Sequence, residues 1–276
     1  MTAATYSAAI AQVFVDEGGF SNHSADPGGA TNYGITIIDA NKYAAEFGWI
    51  AGRKVTVADV RAMPKWFAEK VYAAKYAAKI RYNDLPAGFD YTGLDASINS
   101  GVGRFVPWSA KALGKAATTV ADVVRLSNAA PDKVALIQRF WKVRLGFVQG
   151  LKTWSHFGRG WGKRIANGEV LAVKLWLTYG AALSPAVVKE TLTTEAAKAS
   201  NASKKSAGGA TATGSAGAGT AAGSGDPTQL GVDPVMLGTG GKVALAIAAA
   251  LLIALAFYFI NRALLHKNRA DAYAAG

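Results

Sequence analysis

The chain has 276 residues, enough for one large domain or two small ones with accessory segments. It contains no cysteine, which excludes disulfides, a thiol nucleophile and a thiolate metal site. Its formal charge of +12 is uneven: residues 1–60 hold three Lys/Arg against six Asp/Glu, and residues 61–195 hold twenty against nine. A basic surface of that size attracts polyanions such as nucleic acid, anionic lipid or an acidic cell wall, and charge alone does not choose among them.

The N-terminal MTAATYSAAIAQVF has no basic stretch and meets Asp16-Glu17 at once, so it does not read as a secretory signal peptide. Ile10, Val13, Phe14 and Glu17 recur at i, i+3, i+4 and i+7, which predicts a helix with these four on one face. Gly18-Gly19 should end it. Glu17 is then the last helical residue on an otherwise apolar face. Burial and the negative end of the helix dipole both disfavour its charged form there. A carboxyl held in that way suits proton donation to a glycosidic oxygen. The same position also fits an ordinary solvated glutamate at a helix end.

Residues 20–36 run FSNHSADPGGATNYGIT. Asp26-Pro27-Gly28-Gly29 is a turn, and Thr31 to Thr36 alternate as a short strand does. Packed against the end of the first helix, this segment brings Asp26 and Thr31 towards Glu17. A carboxylate opposite the acid can stabilise an oxocarbenium ion or activate water, and a threonine hydroxyl can hold that water. Read structurally, Asp26 caps a turn and Thr31 is a strand residue. The strings Glu17-Gly18-Gly19-Phe20, Asp26-Pro27-Gly28-Gly29, Thr31 and Gly34-Ile35-Thr36 together resemble the signature of glycoside hydrolase family 108, the N-acetylmuramidases common among phage endolysins. The resemblance implies a lysozyme-like helical catalytic domain with a small β element, acting on bacterial peptidoglycan without a cofactor or metal. It places the catalytic glutamate on Glu17, and the spacing Glu17…Asp26…Thr31 is similar to the Glu–Asp–Thr trio of other phage lysozymes, in which the last gap differs by one residue. The candidate substrate-binding residues are Asn32, Tyr33, Tyr76 and Asn99.

Further on, Thr56-Val57-Ala58-Asp59 reads as a capping box, and Pro64 suits the first turn of a helix over KWFAEKVYAAKYAAKI. Trp66, Phe67, Val71 and Tyr72 read as core, and Tyr76 stands either in the core or along a sugar cleft. Residues 94–115 and 151–166 resemble the two ends of the small helical peptidoglycan-binding module that follows such catalytic domains. Asp95 and Asn99 begin that module, and Trp154, Phe157, Arg159, Gly160 and Trp161 lie towards its end. Between them, Val134, Ile137, Phe140, Trp141, Arg144, Phe147 and Val148 predict a helix over about 131–149 with a broad apolar face. Each Trp serves either core packing or stacking on sugar rings.

Residues 196–241 are rich in Gly, Ala, Ser and Thr and almost free of large apolar side chains, which predicts a flexible linker. As a coil its ends lie roughly 40 Å apart, and it stretches to about 150 Å. Residues 243–260, VALAIAAALLIALAFYFI, are eighteen apolar residues without charge. As a helix they measure about 27 Å, the length of a membrane span. Tyr258 lies near one end, where an interfacial aromatic belongs. The expected division is therefore a catalytic domain over 1–93, a helical module over 94–195, the linker, a span over 242–261 in contact with membrane lipid, and a basic tail over 262–276. Lys242 precedes the span, while Arg262, Lys267 and Arg269 follow it, which puts the tail in the cytoplasm and the globular region across the membrane. Carrying so large a domain across without a signal peptide is the difficulty in that topology. Delayed release, or residence in a virion membrane, resolves it.

Three rival classes weigh less. Metal-dependent amidases need clustered ligands, and the histidines are only His23, His156 and His266, with no HExxH. Nucleic-acid binding finds no reader motif and no Gly-rich phosphate loop. A non-enzymatic wall-binding or virion protein is the third. A lytic transglycosylase also works with one glutamate, and residue chemistry alone does not separate it from a hydrolase.

Overall fold

The structure, a computed structural model, describes residues 4–23, 28–221 and 239–276, and of the side chains those outside 209–221, 239–250, 252–254 and 256–257. The described chain is mainly helical and divides into two compact units, Met1–Val188 and Lys189–Gly276.

In the first unit, helix α1 spans Tyr6–Glu17 and buries Ala9, Ile10 and Val13, with Phe14 half-buried on the same face. It ends where expected: Gly18 takes φ +77° and its N–H donates to the Phe14 carbonyl at 3.2 Å. The predicted single strand is a hairpin instead. Strand β1 (Thr31–Asn32) pairs antiparallel with β2 (Ile35–Thr36), with Thr31 opposite Thr36 and Asn32 opposite Ile35. The two linking residues, Tyr33 and Gly34, both adopt positive φ (+51° and +73°), which reverses the chain with the twist that paired strands need. Ser21 adds a backbone bridge to Thr31.

Helix α2 (Ile37–Tyr43) is capped by Thr36, and α3 (Val57–Arg61) by the predicted capping box of Thr56 and Asp59. Helix α4 (Lys65–Tyr72) takes Pro64 as its N-cap. It does not run evenly to residue 80 as predicted: Ala73–Ala77 widen into a π turn and Ala78–Ile80 tighten into a 3-10 turn. Such a widening shifts the register of the side chains beyond it, here including Tyr76. Ile10, Val13, Ile35, Val60, Phe67, Val71 and Tyr72 close the core beneath these elements.

Helix α5 (Phe89–Ser100) is the axis of the unit, with every residue from Phe89 to Ser97 buried. It packs against α1, α6 (Phe105–Leu113), α8 (Lys133–Gln149) and α9 (Trp154–Leu175). Helix α7 (Val120–Ala129) carries a second capping box, Thr119 with Asp122, and packs on α6. The predicted helix over 131–149 is α8, started by Asp132, whose carboxylate accepts from the Ala135 N–H. Phe89, Phe105, Trp108 and Phe140 meet ring to ring in the core. Helices α8 and α9 approach closely where Gly168 leaves room for the Trp141 ring: a Cβ there would stand 2.3 Å from it.

Two boundaries differ from expectation. The division drawn between Gly93 and Leu94 falls inside α5, because a helix buried on all sides serves both halves of the unit. The linker drawn over 196–241 is helical in its first part. Helix α10 spans Pro185–Ala221, since the alanines and lysines near residues 196–207 favour helix even where they bury little. In the second unit α10 packs on α11 (Thr239–Ala275), with the Ser203 hydroxyl donating to the Ala263 carbonyl at 2.9 Å. The rest of the linker, 222–238, lies outside the described residues, as do most side chains of the expected span over 243–260. Among the described residues no helix is long and apolar enough to cross a membrane.

Candidate active site

Glu17 stands at the last position of α1, with its side chain about one quarter exposed. Its surroundings are set from two sides. On one, the hairpin tip presses close: a Cβ on Gly34 would lie 3.1 Å from the Glu17 Cβ and 2.4 Å from the Tyr72 hydroxyl. Only a glycine fits that approach, and its φ of +73° requires one as well. Tyr72 is buried and donates to the Tyr33 carbonyl at 2.7 Å, fastening the tip to α4. Burial and the neighbouring Glu17 charge both keep the Tyr72 phenol protonated.

On the other side lies Arg164 of α9. Its Nη2 donates to Glu17 Oε1 at 3.1 Å and to Asp95 Oδ1 at 3.1 Å, and its Nε lies 3.7 Å from Asp16 Oδ2. Glu17 is therefore paired with Arg164, and the apolar setting expected from its helix face is replaced by a guanidinium 147 residues away in sequence. Asp95 is only 1% exposed and is also bound by the equally buried Arg144, whose Nη2 donates to Asn99 Oδ1 at 3.1 Å. Burial pushes the Asp95 carboxyl up, but Arg144 and Arg164 outweigh it and hold the group below the ordinary range. Asp16 goes the other way: burial raises it, the negative charges of Asp95 and Glu17 add to the rise, and Arg164 and Gln12 offset only part of it. Three carboxylates and two guanidiniums thus meet at one point.

The other predicted residues distribute unevenly. Thr31 stands in β1, two residues before the tip, and Asp26 lies outside the described residues. Asn32 is turned inward, donating to the carbonyls of Val60 at 3.0 Å and Arg61 at 3.1 Å, so it fastens the hairpin to α3 and is not free to meet a ligand. Tyr33 packs its ring on Phe14 at 5.1 Å between centroids. With Tyr6, Ile10, Phe14 and Glu69 it lines a groove of about 780 Å³ along α1. Tyr76 is half-buried beside Tyr72, with the Lys75 ammonium 5.4 Å from its ring centre. Asn99 is exposed and joins the charged cluster through Arg144.

Some distance along α9 from Arg164, Phe157 stacks on Trp161 at 5.6 Å and is 56% exposed, so this pair does not serve the core alone. Among the described residues no group of three or more His, Asp or Glu is arranged so that it could hold a metal ion.

The chain resembles known proteins in two respects. Residues 10–101 match the family described as glycosyl hydrolase 108. Among solved structures, that of Brucella abortus SagA is 34% identical, with 62% of this chain and 95% of that chain covered and a TM-score of 0.49. No curated protein matches. Glu17, Gly34, Tyr72 and Asp95 all fall inside the segment that matches the glycosyl hydrolase 108 family, residues 10–101 of the 276.

Proposed function

We propose that this protein is a peptidoglycan hydrolase that cleaves the β-1,4 bond between N-acetylmuramic acid and N-acetylglucosamine, with Glu17 as its essential acid. The observation that carries the reading is Glu17 itself. It ends α1 inside a glycosyl hydrolase 108 segment, partly exposed and held between the Gly34 tip and Arg164. A protonated carboxyl group so placed donates its proton to a glycosidic oxygen laid across the hairpin as the bond to the sugar breaks. Asp26 and Thr31 position water or stabilise the charge that develops on the sugar. Phe157, Trp161 and Arg164 follow at spacings of four and three along α9, and so share one helix face. Sugar rings stacked on the two aromatics would run towards Glu17.

The tail reading is also a proposal. Residues 243–260 are uninterruptedly apolar, and Leu251, Leu255, Tyr258, Ile260 and Leu264 of α11 are exposed large apolar side chains. Such a face is suited to lipid, and it would hold the enzyme at a membrane.

The test uses the full chain and its Glu17→Gln variant on purified peptidoglycan, with fragments read by mass spectrometry. Reducing N-acetylmuramic acid ends from the wild type alone are the expected result, with activity lost at least about 100-fold in the variant while its melting temperature is kept. Anhydro ends identify a lytic transglycosylase. Absence of cleavage by folded protein would leave a wall-binding or virion structural protein.

A further inference from the structure

We propose that Arg164 is the positioning residue of Glu17, so that the segment beyond residue 101 completes the catalytic centre as well as serving as a helical module. This rests on the reading of Glu17 given above. The family match ends at residue 101, yet Arg164, 147 residues from Glu17 in sequence, reaches its carboxylate at 3.1 Å.

The arrangement has the features of a holder. A glutamate at a helix end has several rotamers open to it, and a reacting group must be fixed far more closely than that. Arg164 supplies the restraint because it is itself restrained. The same nitrogen that meets Glu17 also meets Asp95, which is 1% exposed, lies on the central helix α5 and is locked by Arg144. The planar guanidinium presents its donors in a fixed fork, so holding one carboxylate sets the direction of the next. Gly34 closes against Glu17 from the opposite side. The charges also fit the chemistry. Asp16, Glu17 and Asp95 against Arg144 and Arg164 leave one negative charge over when all are ionised, which favours the cationic character a breaking glycosidic bond acquires.

An alternative role is a plain tie, with Arg164 joining α9 to α1 and α5 and nothing more. Lysine separates the two. It keeps the positive charge and so the tie, but it loses the fork that aims Glu17. Removing Arg164 leaves Asp95 still paired with Arg144, so no buried carboxylate is stranded.

The experiment takes the full chain as wild type, Arg164→Lys and Arg164→Gln, with soluble uncrosslinked glycan strands as substrate and thermal melting alongside. Positioning predicts that Arg164→Lys melts near the wild type while kcat falls on the order of 10- to 100-fold and KM changes little. Arg164→Gln falls further and regains rate on addition of methylguanidinium. A folded variant of either kind with wild-type kcat overturns the inference, as does a loss confined to KM. Unfolding of both variants makes Arg164 a structural tie and overturns it too. Carboxyl carbon NMR of Glu17 gives a readout apart from turnover: one sharp signal in the wild type should broaden or split in Arg164→Gln. An inactive wild type would count against the muramidase reading alone, and an unchanged Glu17 signal in Arg164→Gln would count against this one alone.

Discussion

Asp90 and Thr5 show how a residue in this protein can be diverted from its local duty. Thr5 precedes α1 and its side chain caps nothing there; its hydroxyl donates instead to the buried Asp90 carboxylate and also meets Tyr82. Burial pushes the Asp90 carboxyl up to about 6, against the pull of the Thr5 hydroxyl and the Tyr91 N–H. Because the folded value lies above the unfolded one, folding favours the protonated form. The stability this gives is fully present below about pH 4 and is lost as pH rises to about 6. Asp90→Asn removes the titration. Its stability relative to wild type should rise by about 2 kcal/mol between pH 4 and pH 7, as read by urea unfolding at each pH. A flat difference across that range would mean that Asp90 does not carry the titration. Gly34 makes the complementary case. Gly34→Ala has no space beside Tyr72 and Glu17 and strains a positive φ. A stability loss of about 1–3 kcal/mol is expected, with glycan release reduced beyond what the lost fold accounts for.

At the scale of elements, local signals were legible where a few neighbouring residues decide the outcome. The capping box at Thr56–Asp59, the end of α1 at Gly18 and the start of α8 near residue 132 all stand as read. The hairpin was read as one strand because its reversal depends on Tyr33, a residue that rarely takes positive φ. The long helix over 65–80 breaks into π and 3-10 turns, since the same alanines suit any helical form and packing chooses. The helix contacts themselves are tight. Gly168→Ala would drive a methyl into Trp141, and a loss of about 1–3 kcal/mol is expected, seen as a melting temperature lower by roughly 2–10 °C.

For the whole molecule, the apolar tail makes the sharpest prediction. If residues 243–260 enter a bilayer, the protein should float with lipid vesicles, and Leu251→Lys with Leu255→Lys should abolish flotation, each lysine costing about 2.5–3.5 kcal/mol at a helix centre. Flotation of the double variant equal to wild type would remove the span. Composition, the Glu-Gly-Gly and Asp-Pro-Gly-Gly strings and the helix periodicities are properties of short stretches, so the sequence by itself determined the glycosyl hydrolase 108 resemblance and the helical character. What surrounds Glu17 was decided only by the tertiary structure. Arg164 looks like one of many scattered basic residues until α9 folds back onto α5 and α1, and Asn32 looks like a ligand-facing amide until α3 takes up its donors. Ion pairs and buried hydrogen bonds across such separations leave no local spacing to read. They exist because a buried carboxylate such as Asp95 must find its cation wherever the packed helices place one.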